Sequence, residues 1–198
     1  MARNTGPKHR ICRRVGQKIC DLDRCPVTRR DAPPGLHGPK GRSKLTEYGT
    51  QLIEKQKARA VYGILERQFR LYFDRARQQT GDTGHILTQL LERRLDNTVF
   101  RLRFVKSRNA ARQAVTHGHI TVNGKRVTIP SYQVNEGDVI GISERSQTSP
   151  LFREYPKMGL QREIPAWLAA EPAAFRGRII RLPTVEDSPQ PFQARSIV

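Results

Sequence analysis

Four residues near the start of the chain have the types and spacing to hold a metal ion. His9-x2-Cys12-x7-Cys20-x4-Cys25 brings three thiols and an imidazole within 17 residues. That is the order of a Cys3His zinc knuckle, in which zinc is held tetrahedrally and closed off from solvent. Three cysteines is an odd number for the whole chain, which argues against a complete disulfide set. The surrounding segment is poor in apolar residues and punctuated by Gly6-Pro7, Cys25-Pro26 and the Pro/Gly-rich stretch from Ala32 to Gly41. A metal can supply folding free energy that such a segment cannot obtain from a core. The competing reading of the same residues is small buried hydrophobes or free thiols.

The second chemistry is polyanion binding. The 198 residues carry 36 Lys+Arg against 18 Asp+Glu, a formal charge of +18, and 27 of the cations are arginine. Guanidinium presents a planar fork of donors suited to phosphate and stacks on bases. Residues 1–60 hold 15 basic and 5 acidic side chains, residues 61–130 hold 13 and 5, and residues 131–198 hold 8 and 8. The simple reading is a nucleic-acid footprint on residues 1–130 and a core, scaffold or protein-contact role for the remainder. The alternative is that charges from all segments mix on the folded surface. No apolar run approaches the ~18–20 residues that span a bilayer, and Met1 to Gly6 lacks the apolar core of a signal peptide. A cytoplasmic protein with no membrane partner is therefore expected.

Helices and one hairpin must position these groups. Periodicity predicts helices from Thr46 to about Ala60, from Leu65 to Gln79 and from His85 to Leu102, the last with Leu87, Leu90, Leu91, Leu95, Val99 and Leu102 as its stripe. Ser107 is a good N-cap for a short helix from Arg108 to Thr116 that stops near Gly118. Ile120 to Val127 alternates around Asn123-Gly124, a strong hairpin signal. Tyr132–Val134, Val139–Ile142 and Ile179-Ile180 suggest further strands, and Ile164 to Leu168 a helical turn.

Glu92-Arg93-Arg94-Leu95-Asp96-Asn97, then Ser107-Arg108-x-Ala110-Ala111-Arg112-Gln113, then His117-Gly118-His119-Ile120-x-Val122-Asn123-Gly124 together resemble the S-four-type RNA-binding module. Gly6-Pro7, Pro33-Pro34-Gly35-x-His37-Gly38, Tyr62-Gly63-Ile64-x-Glu66-Arg67-Gln68-Phe69-Arg70 and Pro130-Ser131-Tyr132 extend the resemblance, in order, to the bacterial small-subunit ribosomal protein S-four family. Two departures are visible. Leu36 stands where the family usually has Gln, and the chain stops at Ser196-Ile197-Val198, short of the family's acidic and aromatic tail.

The resemblance implies an α+β fold. Residues 1–45 form a basic, zinc-knuckle-like segment, and residues 46–88 form a helical body completed by 166–198. Residues 89–165 are the inserted RNA-binding domain. It implies a primary binder of 16S ribosomal RNA that nucleates assembly of the 30S body, touches ribosomal protein S-five at an interface tied to translational accuracy, and helps line the messenger RNA entry channel. The RNA contacts expected are Arg10, Arg13, Arg14, Lys40, Arg42, Lys44, Lys57, Arg59, Arg67, Arg70, Arg94, Ser107, Arg108, Arg112, Gln113, His117, His119, Asn123 and Lys125. Some members carry Cys pairs upstream of the Pro-Pro-Gly segment, and Cys20-x4-Cys25 falls in register with the second pair. Related modules also occur on pseudouridine synthases, and Arg94-Leu95-Asp96 mimics their catalytic tripeptide. Too few residues remain outside the module for a catalytic domain, so no enzyme is expected. A free-standing RNA chaperone is the other alternative.

Overall fold

The computed structural model describes residues 6–20, 24–30, 32–41, 44–153, 155, 163–184, 186–187 and 191–197. The chain divides into two compact units, residues 1–87 with 190–198 and residues 88–189. Helices dominate the first and an antiparallel sheet the second, so the α+β expectation holds.

In the first unit, α1 (Lys8–Val15) ends at Gly16, whose φ of 77° makes the left-handed cap. In α2 (Glu47–Tyr62), the Thr46 hydroxyl accepts from the Gly49 N–H at 3.2 Å as N-cap. Gly63 turns the chain into α3 (Glu66–Arg77), which buries Phe69, Tyr72 and Ala76. The last residues return to this unit. The Gln193 N–H donates to the buried Glu54 carboxylate at 2.8 Å, and Phe192 meets Tyr62 edge to face at 6.3 Å. The chain leaves for the second unit along α4 (Thr83–Glu92).

The second unit contains α5 (Leu95–Arg101), α6 (Arg108–Thr116), the single turn α7 (Glu144–Gln147) and five strands among the described residues. These are β1 (Ile120–Val122), β2 (Lys125–Arg126), β3 (Val139–Ile142), β4 (Leu168–Glu171) and β5 (Arg176–Ile179), in the order β2-β1-β3-β5-β4. One sheet face carries Ile120, Val122, Ile140, Ile142, Leu168 and Ile179 into a core with Leu95, Val99, Phe104, Ala111, Val115 and Trp167. Asn123 and Gly124 both have positive φ, 50° and 78°, as the tight hairpin requires.

Three expectations change. The helix expected from His85 to Leu102 is two helices, α4 and α5. Arg94 between them is extended and bridges Gln133, while the Leu95 N–H donates to the Tyr132 carbonyl at 2.8 Å. Leu95 and Val99 of α5 join the core of the second unit, whereas Leu87, Leu90 and Leu91 of α4 are buried outside that cluster. Tyr132–Val134 accordingly supplies that bridge and no longer strand. Residues 168–179 do not complete the helical body: β5 pairs with β3 and β4 with β5, so this segment widens the second unit's sheet, and Leu168 lies in a strand where a helical turn was expected. The alternation of buried Leu168, Gly177 and Ile179 with exposed Arg176 and Arg178 is the physical reason.

Candidate nucleic-acid interface and metal centre

Beneath α6 lies a buried charged network built by the Glu92-to-Asn97 segment. Glu92 is fully buried and receives two hydrogen bonds from Arg101, at 3.0 and 2.8 Å, and one from the Asn97 amide at 2.7 Å. The Asn97 oxygen accepts from Arg108 Nε at 2.9 Å, and the Arg108 guanidinium stacks 4.4 Å from the centre of the Phe100 ring. Asp96 takes a forked pair from Arg94 at 3.0 and 2.6 Å and lies 3.8 Å from Arg112. Arg94, expected among the RNA contacts, is 2% exposed and its guanidinium is held by Asp96. A buried carboxylate needs a paired cation, and Arg94 is that partner.

The same network aims the half-buried Arg108 and Arg112 along the outer side of α6, one turn apart, with Gln113 exposed beside them. Ser107 has a structural task, since its hydroxyl accepts from the Ala110 N–H at 3.3 Å and caps α6. His117 is exposed. His119 is half-buried, bonded to the Ser146 hydroxyl at 2.9 Å and set edge-on to Phe152. Burial, with the charges of His117 and Arg126, lowers the His119 pKa. Lys125 is exposed on the hairpin. The Asn123 side chain is spent on the hairpin turn, donating to Asp138 at 2.8 Å and accepting from the Val139 N–H at 2.9 Å. Arg126 was missed by the sequence reading. Its guanidinium lies over Gly118 and donates to the His117 carbonyl at 3.2 Å, and a Cβ at residue 118 would overlap it. The alternation of the hairpin could have flagged it, because position 126 pairs with Thr121 on the solvent side.

In the first unit, Arg10, Arg14, Lys40, Lys44, Arg67 and Arg70 are exposed. Arg42 lies outside the described residues. Arg13 is half-buried and braces the loop, donating to the Ala32 and Pro33 carbonyls at 3.2 and 3.1 Å. Lys57 pairs with Glu54 and Arg59 with Glu66, each at 2.6 Å. These three cations therefore hold the fold as well as carry charge.

The cysteine set converges. α1 places His9 and Cys12 one turn apart, and the loop returns Cys20 and Cys25, so the four ligand atoms lie within 4.8 Å of one another. Cys20 Sγ is 3.7 Å from His9 Nδ1. With Zn–S near ~2.3 Å, a closed tetrahedron needs ligand atoms roughly 3.5–3.8 Å apart. The donor set fits such an ion with a contraction of about 1 Å at most. Burial pushes the Cys25 thiol up. The Val27 N–H, the Cys20 and Cys12 thiols and the Lys18 charge outweigh it and hold the pKa below its ordinary value, toward the thiolate a metal requires.

Comparison with known proteins bears on the whole chain. Residues 3–92 match the family "Ribosomal protein S4/S9 N-terminal domain" and residues 93–140 match "S4 domain". Small ribosomal subunit protein uS4A of Symbiobacterium thermophilum is 50% identical, and small ribosomal subunit protein uS4 of Heliobacterium modesticaldum and of Geotalea daltonii are 52% and 50% identical. Each alignment covers 100% of this chain and 98% of the relative. With half its residues identical along its full length and both domains in order, the chain belongs to the small ribosomal subunit protein uS4 family.

Proposed function

We propose that this chain is a structural, non-catalytic constituent of the small ribosomal subunit that binds 16S ribosomal RNA and nucleates assembly of the 30S body. The observation that carries the reading is the preset pair Arg108 and Arg112, held from beneath by Asn97, Phe100 and Asp96. Cations locked in place lose less side-chain freedom on meeting phosphate, so more of the contact appears as affinity. A-form RNA hides its major groove, so α6 and the hairpin read the sugar-phosphate surface of a junction by shape.

The test is competition binding of the whole chain to the five-prime domain of 16S ribosomal RNA against excess unrelated duplex RNA over a salt series. Nanomolar affinity that survives competition at moderate salt is expected. Collapse to the competitor's affinity refutes junction recognition and favours a free-standing RNA chaperone.

His9, Cys12, Cys20 and Cys25 hold a structural zinc in this reading, which supplies the closure that the core-poor N-terminal segment lacks. The chain works in the cytoplasmic ribosome, contacts ribosomal protein S-five at a surface that influences accuracy, and faces incoming messenger RNA with the loop of Lys40, Arg42 and Lys44. Alanine at those three positions is expected to slow translation of structured messages while sparing assembly. Failed assembly instead assigns the loop to ribosomal RNA.

A further inference from the structure

The outer face of the sheet, opposite the face that joins the core, forms a second cationic surface. The strand registers place Arg126, Thr121, Gly141, Arg176 and Glu171 in one row across all five strands. Val139, Arg178 and Ala169 form the next row. Arg126, Arg176 and Arg178 are exposed, and neither the Arg176 nor the Arg178 guanidinium pairs with a carboxylate among the described residues. Between β2 and β5 the floor is Gly141, the Thr121 hydroxyl bonded to the Gly141 carbonyl at 3.2 Å, and the half-buried Val139; the Arg176 side chain passes over Gly141, and Ala169 lies beyond Arg178 on β4. Arg176 and Arg178 stand ~7 Å apart along β5, and Arg126 is about 14 Å away across the strands.

We propose that this face is a second RNA-binding surface, taking the phosphate backbone of a folded RNA on the exposed forks of Arg176 and Arg178, while Arg126, tied to the His117 carbonyl, adds charge at its edge. The charge favours it, because Arg176 and Arg178 stand beside one carboxylate, Glu171. The surface chemistry favours RNA over protein. Protein interfaces place aromatic and apolar anchors at a centre depleted of charge, whereas here the centre is Gly, Thr and one half-buried Val, with no aromatic in either row, and the edge is guanidinium. A flat floor lets a sugar-phosphate strand approach the backbone while the forks reach its oxygens. The neutral last third of the chain thus contributes two exposed cations, Arg176 and Arg178, to one face. The inference rests on the ribosomal-RNA reading but uses a surface separate from α6.

The test is the same titration with the full chain carrying Arg176→Ala and Arg178→Ala together, compared with the unaltered chain. Each phosphate contact contributes a slope of about 0.7–0.9 in log affinity against log salt, so losing two flattens the slope by roughly 1.5 and weakens binding roughly 15–30-fold near 0.15 M salt. Glu171→Gln should act oppositely and tighten binding. Because the substituted side chains are exposed, a thermal melt unchanged from the parent accompanies both variants. Unchanged affinity and slope in the double variant overturn the proposal, and loss of a neighbouring protein from assembled particles with RNA binding intact assigns the face to protein. If the unaltered chain itself fails to select the five-prime domain, the ribosomal reading fails, a result distinct from either of these.

Discussion

Replacing Arg94 by methionine separates a structural arginine from an RNA-binding one. Arg94 lies 2% exposed, with both carboxylate oxygens of Asp96 bound at 3.0 and 2.6 Å. Removing one partner of a buried ion pair leaves an uncompensated charge and costs about 3–5 kcal/mol. Arg112, at 3.8 Å from the Asp96 carboxylate, is too distant to replace two short bonds and moderates that loss only slightly. For a unit spanning residues 88–189, each kcal/mol lowers the melting temperature by ~4–8 °C, so Arg94→Met should lower it by roughly 12–40 °C. The assay is calorimetry or urea unfolding of the RNA-free chain. Asp96→Leu alone should destabilise similarly, whereas the double variant should recover much of the loss, because an apolar pair of like volume replaces a buried ion pair at little cost. A normal melt with reduced RNA affinity for Arg94→Met would refute the buried-pair argument and return Arg94 to the RNA contacts.

Two other outcomes follow from the sites. Protein purified under reducing conditions should carry close to one zinc, and Cys20→Ser should abolish it and lower the protection of amides in residues 8–30; metal analysis that finds none in the parent refutes the knuckle. For His119, whose folded pKa is depressed by burial and by His117 and Arg126, the unfolded chain takes up the proton first. Its contribution is therefore fully present above the ordinary imidazole value of ~6.5 and declines as pH falls through that value toward the folded pKa. Urea midpoints between pH 8 and 5 should fall less for His119→Asn than for the parent, and parallel pH profiles would show that His119 does not titrate with folding.

Local signals survived into the fold wherever neighbours in sequence settle the outcome. Asn123-Gly124 makes its hairpin because two consecutive positive φ angles select those residues, whatever surrounds them. Ser107 caps α6 through a bond three residues away. The candidate metal ligands were legible from residue types and spacing, whereas α1, the helix that sets His9 against Cys12, was not anticipated in this Pro/Gly-punctuated segment. The kink at Arg93-Arg94 was not legible, since the apolar spacing carries on from Leu91 to Leu95 and the bridge to Gln133 comes from a segment some forty residues on.

The composition and motif order of the sequence by themselves determined the family, the α+β class, the excess of cations and the four candidate metal ligands. These depend on residue types and short spacings that no packing can alter. Tertiary structure decided which cations are available. Arg94 is buried on Asp96, Arg13 is tied to loop carbonyls, Lys57 and Arg59 are paired, Arg126 is bonded to the His117 carbonyl, and Arg176 and Arg178 share one open sheet face. A charge in sequence is only a charge. Whether it meets solvent or a carboxylate depends on partners brought together by strand register and helix packing, and those are set by the core.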